Sequence, residues 1–180
     1  MWRMGAKMNK AETQTILALL KVAYPYSFKD LTSIDRNALV GLWCEMLSDT
    51  DVITAKMAIK SLIAHSKFVP SINEVRAEIV KLINPASQIT ADEAWGEVKK
   101  AIAKFGMYRP NEAYDSMSEL TREIVKRLTW VDLCLSENSD VSMSNFIKLF
   151  NTQKAKGLEI LQIPIELRNK IGEMKQKMLK

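Results

Sequence analysis

Apolar residues recur at three- and four-residue spacing along almost the whole chain, and this period most narrows what it can fold into. Ile16, Leu17, Leu20 and Ala23 share one face of a helix that Pro25 stops. Leu39, Leu42, Trp43, Met46 and Leu47 form the stripe of a second helix, which Ser33 or Asp35 can cap. After Asp49-Thr50-Asp51, a third helix carries Val52, Ala55, Ile59, Leu62 and Ile63 and ends near His65-Ser66-Lys67. Six Gly and five Pro in 180 residues leave few tight turns, which favours long helices over a many-stranded sheet.

Cap signatures sharpen the pattern. Val69 precedes Pro70 and is pushed to an extended conformation. Ser71 and Glu74 then form a capping box, each side chain serving the other's backbone amide, ahead of a fourth helix with Val75, Ile79, Leu82 and Ile83. Asn84-Pro85-Ala86-Ser87-Gln88 is polar and is followed by a second box, Thr90 with Glu93. The fifth helix shows Ala94, Trp95, Val98, Ile102 and Phe105, and Gly106 and Pro110 break it. A helix near 118–130 uses Leu120, Ile124, Val125 and Leu128, and a short turn holds Trp130, Val131 and Leu133. Ser139 or Asp140 starts a helix with Val141, Phe146, Leu149 and Phe150. The expected architecture is all-α: an N-terminal bundle of about four helices over residues 1–84, a linker at 85–89, a second helical domain at 90–155 and a basic amphipathic segment at 156–180.

The last segment has its own character. Pro164 suits a first helical turn, and Ile163, Leu167, Ile171, Met174 and Met178 then fall at spacings of 4, 4, 3 and 4. Arg168, Lys170, Lys175 and Lys177 occupy the other faces. Residues 151–180 hold seven Lys or Arg against three Glu, so +4 of the chain's +5 lies there. Such a stripe either closes the protein's own core or lies in a partner's groove. The cations beside it either form a solvated face or meet DNA phosphate or an acidic protein surface. Elsewhere the charges are mixed, which permits contact with nucleic acid without requiring it.

Several chemistries are absent. No Gly-x-x-x-x-Gly-Lys-Ser/Thr phosphate loop occurs, so the chain is not a P-loop ATPase. One His, at position 65, and two distant cysteines, Cys44 and Cys134, supply no zinc-site spacing, so neither a metal nor a cofactor is expected. The pairs Asp49/Asp51 and Asp92/Glu93 lie at helix starts, where the helix dipole attracts carboxylates without any catalytic purpose. Trp43 and Trp95 sit in apolar stripes and read as core rather than as base-stacking platforms. Basic and aromatic residues do not interleave as single-strand binders require. No apolar run approaches the ~18–20 residues that span a bilayer, and the first eight residues carry charge without an apolar stretch behind it. The expectation is a cytoplasmic protein without a catalytic site.

The order Ala23-Tyr24-Pro25, Leu42-Trp43-Cys44-Glu45-Met46-Leu47, then Lys67-Phe68-Val69-Pro70-Ser71-Ile72-Asn73-Glu74-Val75 resembles the N-terminal domain of the phage-encoded replicative helicase loader and inhibitor family, over roughly residues 10–83. Ala91 to Val98, with Tyr108-Arg109-Pro110 after it, is similar to the second half of longer phage proteins sharing that domain. The resemblance implies a helical adaptor without ATPase activity in the cytoplasm of an infected bacterial host. It would bind a hexameric replicative helicase and load it onto single-stranded DNA. Single-stranded DNA and an origin-binding protein are the further partners implied. A second reading is an inhibitor of the host helicase or its loader. A third is a DNA-binding initiation or regulatory protein, with a helix-turn-helix in 51–83 whose reading helix, Ser71 to Ile83, exposes Asn73, Arg76 and Lys81 beside Glu74 and Glu78.

Overall fold

The computed structural model describes residues 8–84, 88–136 and 139–178, and among these there is no strand. The chain is all-α and forms two compact units, one of Met1–Asn84 with Glu159–Lys180, the other of Pro85–Leu158. Residues 85–87 of the expected linker lie outside the described residues.

In the first unit, α1 spans Lys10–Ala23, α2 Ser33–Met46, α3 Val52–His65 and α4 Ile72–Ile83, with a 3₁₀ turn at Pro25–Phe28. The starts of these helices are set by side chains that satisfy otherwise orphaned amides. Asn9 caps α1, with Asn9 Oδ1 accepting from Glu12 N–H at 2.9 Å and Glu12 Oε2 accepting from Asn9 N–H at 2.9 Å. The cap of α2 is Thr32 rather than Ser33 or Asp35: Thr32 is the residue with extended backbone, and Asp35 completes its box from the third helical position. Asp51 caps α3 through the amides of Ile53 and Thr54, and Ser71 and Glu74 form the expected box on α4. Pro25 follows the end of α1, and the hydroxyl of Tyr24 donates to Ser66 O at 3.0 Å, tying the exit of α1 to the end of α3.

α3 packs on both α1 and α4, and α2 lies against α1. Ile16, Leu17, Leu20, Trp43, Leu47, Ala55, Ile59, Val75 and Ile79 form the core with Met8 and Ala58. The periodic pattern therefore finds most of the core, and it overreaches at the edges. Ala23 is exposed, and so are Leu42, Leu82 and Ile83, the first of these three at 51%.

In the second unit, α5 runs Ala91–Phe105, α6 Pro110–Asp115, α7 Glu119–Leu128, α8 Trp130–Leu135 and α9 Ser139–Gln162, the last four residues of α9 belonging to the first unit. Thr90 and Glu93 form the expected capping box. Gly106 closes α5 at φ 60°, a backbone angle that glycine adopts without a Cβ penalty. Pro110 does not simply break the chain. It sits at the start of α6, where its missing N–H would be unbonded anyway. The segment Trp130–Leu133, read as a turn, is the body of the short helix α8. The Trp130 ring is in the core at 2% exposure, and its Nε1 donates to Gly106 O at 3.1 Å. Trp95 packs on Phe146 (centroids 5.3 Å apart), and Phe146 on Phe150 (5.8 Å), so Trp95 is core as its stripe predicts.

Candidate partner-binding site

The terminal segment begins where α9 is forced to stop. Pro164 has no N–H to continue the ladder, and α10 follows at Ile165–Met178. The residues before it, Leu161-Gln162-Ile163-Pro164, include none of the short polar side chains that cap helices. The first amide of α10 is served from far away: Ile165 N–H donates to Asp49 Oδ2 at 3.0 Å, from the turn after α2. Pro164 stands just before the helix, its carbonyl accepting from Arg168 N–H at 2.9 Å.

Asp49 is held in turn by Arg76 of α4. Arg76 Nη1 donates to Asp49 Oδ1 at 2.8 Å and Nη2 to Asp49 Oδ2 at 3.2 Å. The same guanidinium closes two other helix ends. Nη1 donates to Met46 O at 2.6 Å, at the end of α2, and Nη2 to Leu161 O at 3.4 Å, while Nε donates to Gln162 O, both at the end of α9. All five guanidinium donors are thereby placed. Carbonyls in the last turn of a helix have no intrahelical partner, so one buried cation supplies bonds that two helix ends lack. Burial would push the Asp49 carboxyl up, but the hydrogen bonds and charge of Arg76, with the Ile165 amide, outweigh it and hold it below the usual carboxylate range.

The sequence does not announce this joint. Its helical pattern puts Arg76 on the exposed face of a DNA-reading helix, yet the residue is 4% exposed and committed to Asp49 and backbone. On the same helix, Lys81 is bridged to Glu78 at 3.2 Å and Glu78 also accepts from Ser61 Oγ at 2.8 Å. The helix-turn-helix reading loses one of its exposed contacts for a physical reason: the carbonyls of Leu161 and Gln162 at the end of α9, with Asp49, take up the arginine. A pairing between residues 27 and 86 positions apart leaves no periodic trace in the sequence.

The terminal stripe emerges from this joint. Ile163 is half-buried, and Leu167 (41%), Ile171 (36%), Met174 (63%) and Met178 (84%) become generally more exposed toward the end. Ile163 and Leu167 share the wall of an open groove with Leu42, Met46, Ile72 and Arg76, while Ile171, Met174 and Met178 continue outward. Of the four cations beside the stripe, Lys170, Lys175 and Lys177 are exposed. Arg168 is folded back, its Nη2 donating to Ile163 O at 3.0 Å and its Nε buried without a partner.

Elsewhere Asp51 caps α3, Glu93 completes the capping box of Thr90, and the thiol of Cys134 is pushed up by burial. His65 Nδ1 lies 2.8 Å from Ser61 O in its own helix. Among the described residues no group of three or more His, Cys, Asp or Glu could hold a metal, and no helix is long and apolar enough to cross a membrane.

Residues 8–76 match the family model for the N-terminal domain of phage helicase loaders and inhibitors. No curated protein and no solved structure matches the chain.

Proposed function

We propose, from the match of residues 8–76 to the phage helicase loader and inhibitor N-terminal domain, that this protein binds a hexameric replicative helicase and loads it onto single-stranded DNA in an infected bacterial cell. The observation that supports a binding role is the apolar stripe of α10, which lies largely in water on a helix held to the rest of its unit by Arg76 and Asp49. A solvent-facing stripe at spacings of three and four is the form in which a helix presents anchors to a partner's groove. In this reading Leu167, Ile171, Met174 and Met178 are the anchors, Ile163 sets the base of the stripe, and Lys170, Lys175 and Lys177 meet an acidic helicase face or DNA phosphate.

An adaptor without a phosphate loop has no fuel and works by differential binding. It must hold an opened ring more tightly than a closed one. To move a ring from about 1% to about 99% open, the preference has to reach about 5.5 kcal/mol. Burying an apolar side chain fully contributes about 1.5–3 kcal/mol, so several anchors buried against the opened ring and not against the closed one reach that scale. Release would then follow when single-stranded DNA or an origin-binding protein competes for the complex.

Native mass spectrometry of the full chain with the host's or phage's helicase, with and without ATP, tests the reading. A complex of defined stoichiometry is expected, weakened at least about fivefold by Met174→Asp, since truncating or charging an interface anchor costs more than about 1 kcal/mol. Met174 is exposed enough for the variant to fold. No complex at micromolar concentration, or one indifferent to Met174→Asp and Ile171→Asp, overturns it. Unwinding of a forked substrate then separates loading, which raises the rate, from inhibition, which lowers it.

A further inference from the structure

The turn that leaves α5 carries chemistry that the terminal helix does not use. From residue 98 to residue 111 the chain has four cations, Lys99, Lys100, Lys104 and Arg109, and no acid, whereas charges elsewhere are mixed. Lys100 and Lys104 lie four apart on one face of α5, both exposed, an arrangement in which like charges repel. Among the described residues no carboxylate lies within ion-pair distance of Lys100, Lys104 or Arg109. Glu97, the acid just before them, accepts instead from Ser118 N–H at 3.0 Å and Ser118 Oγ–H at 2.8 Å.

Aromatic rings stand among these cations. Lys104 Nζ is 5.1 Å and the Arg109 guanidinium 5.4 Å from the centroid of the Phe105 ring. Arg109 Nη2 also donates to Lys104 O at 2.8 Å, which fixes the guanidinium across the turn. Between them Tyr108 is 88% exposed, on a turn that Trp130 pins by its bond to Gly106 O. A large aromatic left in water forgoes the free energy its burial would release, and like charges left unneutralised on one helix face repel. A ligand that is polyanionic and also offers planar faces would relieve both at once.

We propose that this turn is a contact site for single-stranded nucleic acid, with a base stacked on Tyr108 and backbone phosphates on Lys100, Lys104 and Arg109. Cations tracking a backbone beside an aromatic that accepts any base are the two parts of sequence-tolerant single-strand binding. Duplex satisfies only the first, because its bases are already stacked on one another. Contrary to the expectation from the sequence, which weighed only the tryptophans, Lys104-Phe105-Gly106-Met107-Tyr108-Arg109 does interleave basic and aromatic residues. The site lies in the second unit and is independent of helicase binding.

Fluorescence anisotropy of the full chain with a labelled oligothymidylate of about 20 nucleotides tests it, with no helicase present. Salt-dependent binding is expected, weakened about tenfold or more by Tyr108→Ala and kept by Tyr108→Phe. Lys100→Ala with Lys104→Ala should flatten the salt dependence by about 1.4 in slope, at about 0.7 per phosphate contact. Equal affinity for duplex of the same length, or indifference to Tyr108→Ala, overturns the proposal. So does loss of binding on replacing Lys170, Lys175 and Lys177 by Ala while Tyr108→Ala binds normally, which would assign the contact to α10. Failure to bind oligothymidylate while an acidic peptide is retained through Tyr108 would mark a protein contact instead, and also overturns it.

Discussion

Replacing Arg76 by methionine should free the terminal segment while leaving the helices of the first unit formed. Arg76 is 4% exposed, and its side chain spans the ends of α2 and α9 and the Asp49 carboxylate. Removing one member of a buried, hydrogen-bonded pair costs about 3–5 kcal/mol when the remaining charge is left in a dry site. Asp49 is less dry than that. Its side chain is 13% exposed, it sits in a turn, and it keeps the Ile165 amide as a donor. The expected cost is therefore about 2–4 kcal/mol. It should be expressed locally, because three of the five bonds go to backbone at helix ends and one of the carboxylate's partners is the first amide of α10. Hydrogen exchange of the amides of 165 and 168–170 should accelerate about 30- to 800-fold, or lose protection altogether, with α1 and α3 little changed. In a double-mutant cycle, Asp49→Asn added to Arg76→Met should cost less than the sum of the two by about 1–2 kcal/mol, since both remove the same pairing. Unchanged exchange at 165 and 168–170 in Arg76→Met, or additive effects in the cycle, would refute the view that this pair anchors the helix.

Three further outcomes follow from the same geometry. The Asp49 carboxyl is depressed in the folded protein, so its contribution is present above the ordinary unfolded value of about 3.9 and is lost as pH falls through the folded one. A pH titration of amide protection should accordingly show α10 loosening in acid below about pH 4, and not between pH 5 and 8, and Asp49→Asn should blunt that loss. Ser71→Ala removes a hydroxyl that serves Glu74 N–H and should lower stability by about 1 kcal/mol in urea unfolding. Thr129 joins α7 to α8 at φ 68°, a left-handed angle for a β-branched residue, and Thr129→Gly should stabilise by about 0.5–1 kcal/mol on the same assay.

What can be read from the chain alone is whatever a few neighbouring residues settle among themselves. Helical period and capping boxes act over three or four positions, so the helices, the boxes at Ser71/Glu74 and Thr90/Glu93, and the core roles of Trp43 and Trp95 are legible. Where several local solutions are equally good, as for Ser33, Asp35 and the true cap Thr32, the backbone angle decides, and no composition encodes it. The stripe from Ile163 to Met178 is legible too, but not whether it is covered. Its exposure depends on α10 leaving the groove after Leu167, and its attachment on Asp49 and Arg76, residues 116 and 86 positions away from the atoms they hold. A buried arginine and a surface one share the same place in a helical pattern. The difference is made by which distant carbonyls and carboxylate reach it, and that is settled only when the helix ends are brought together in space.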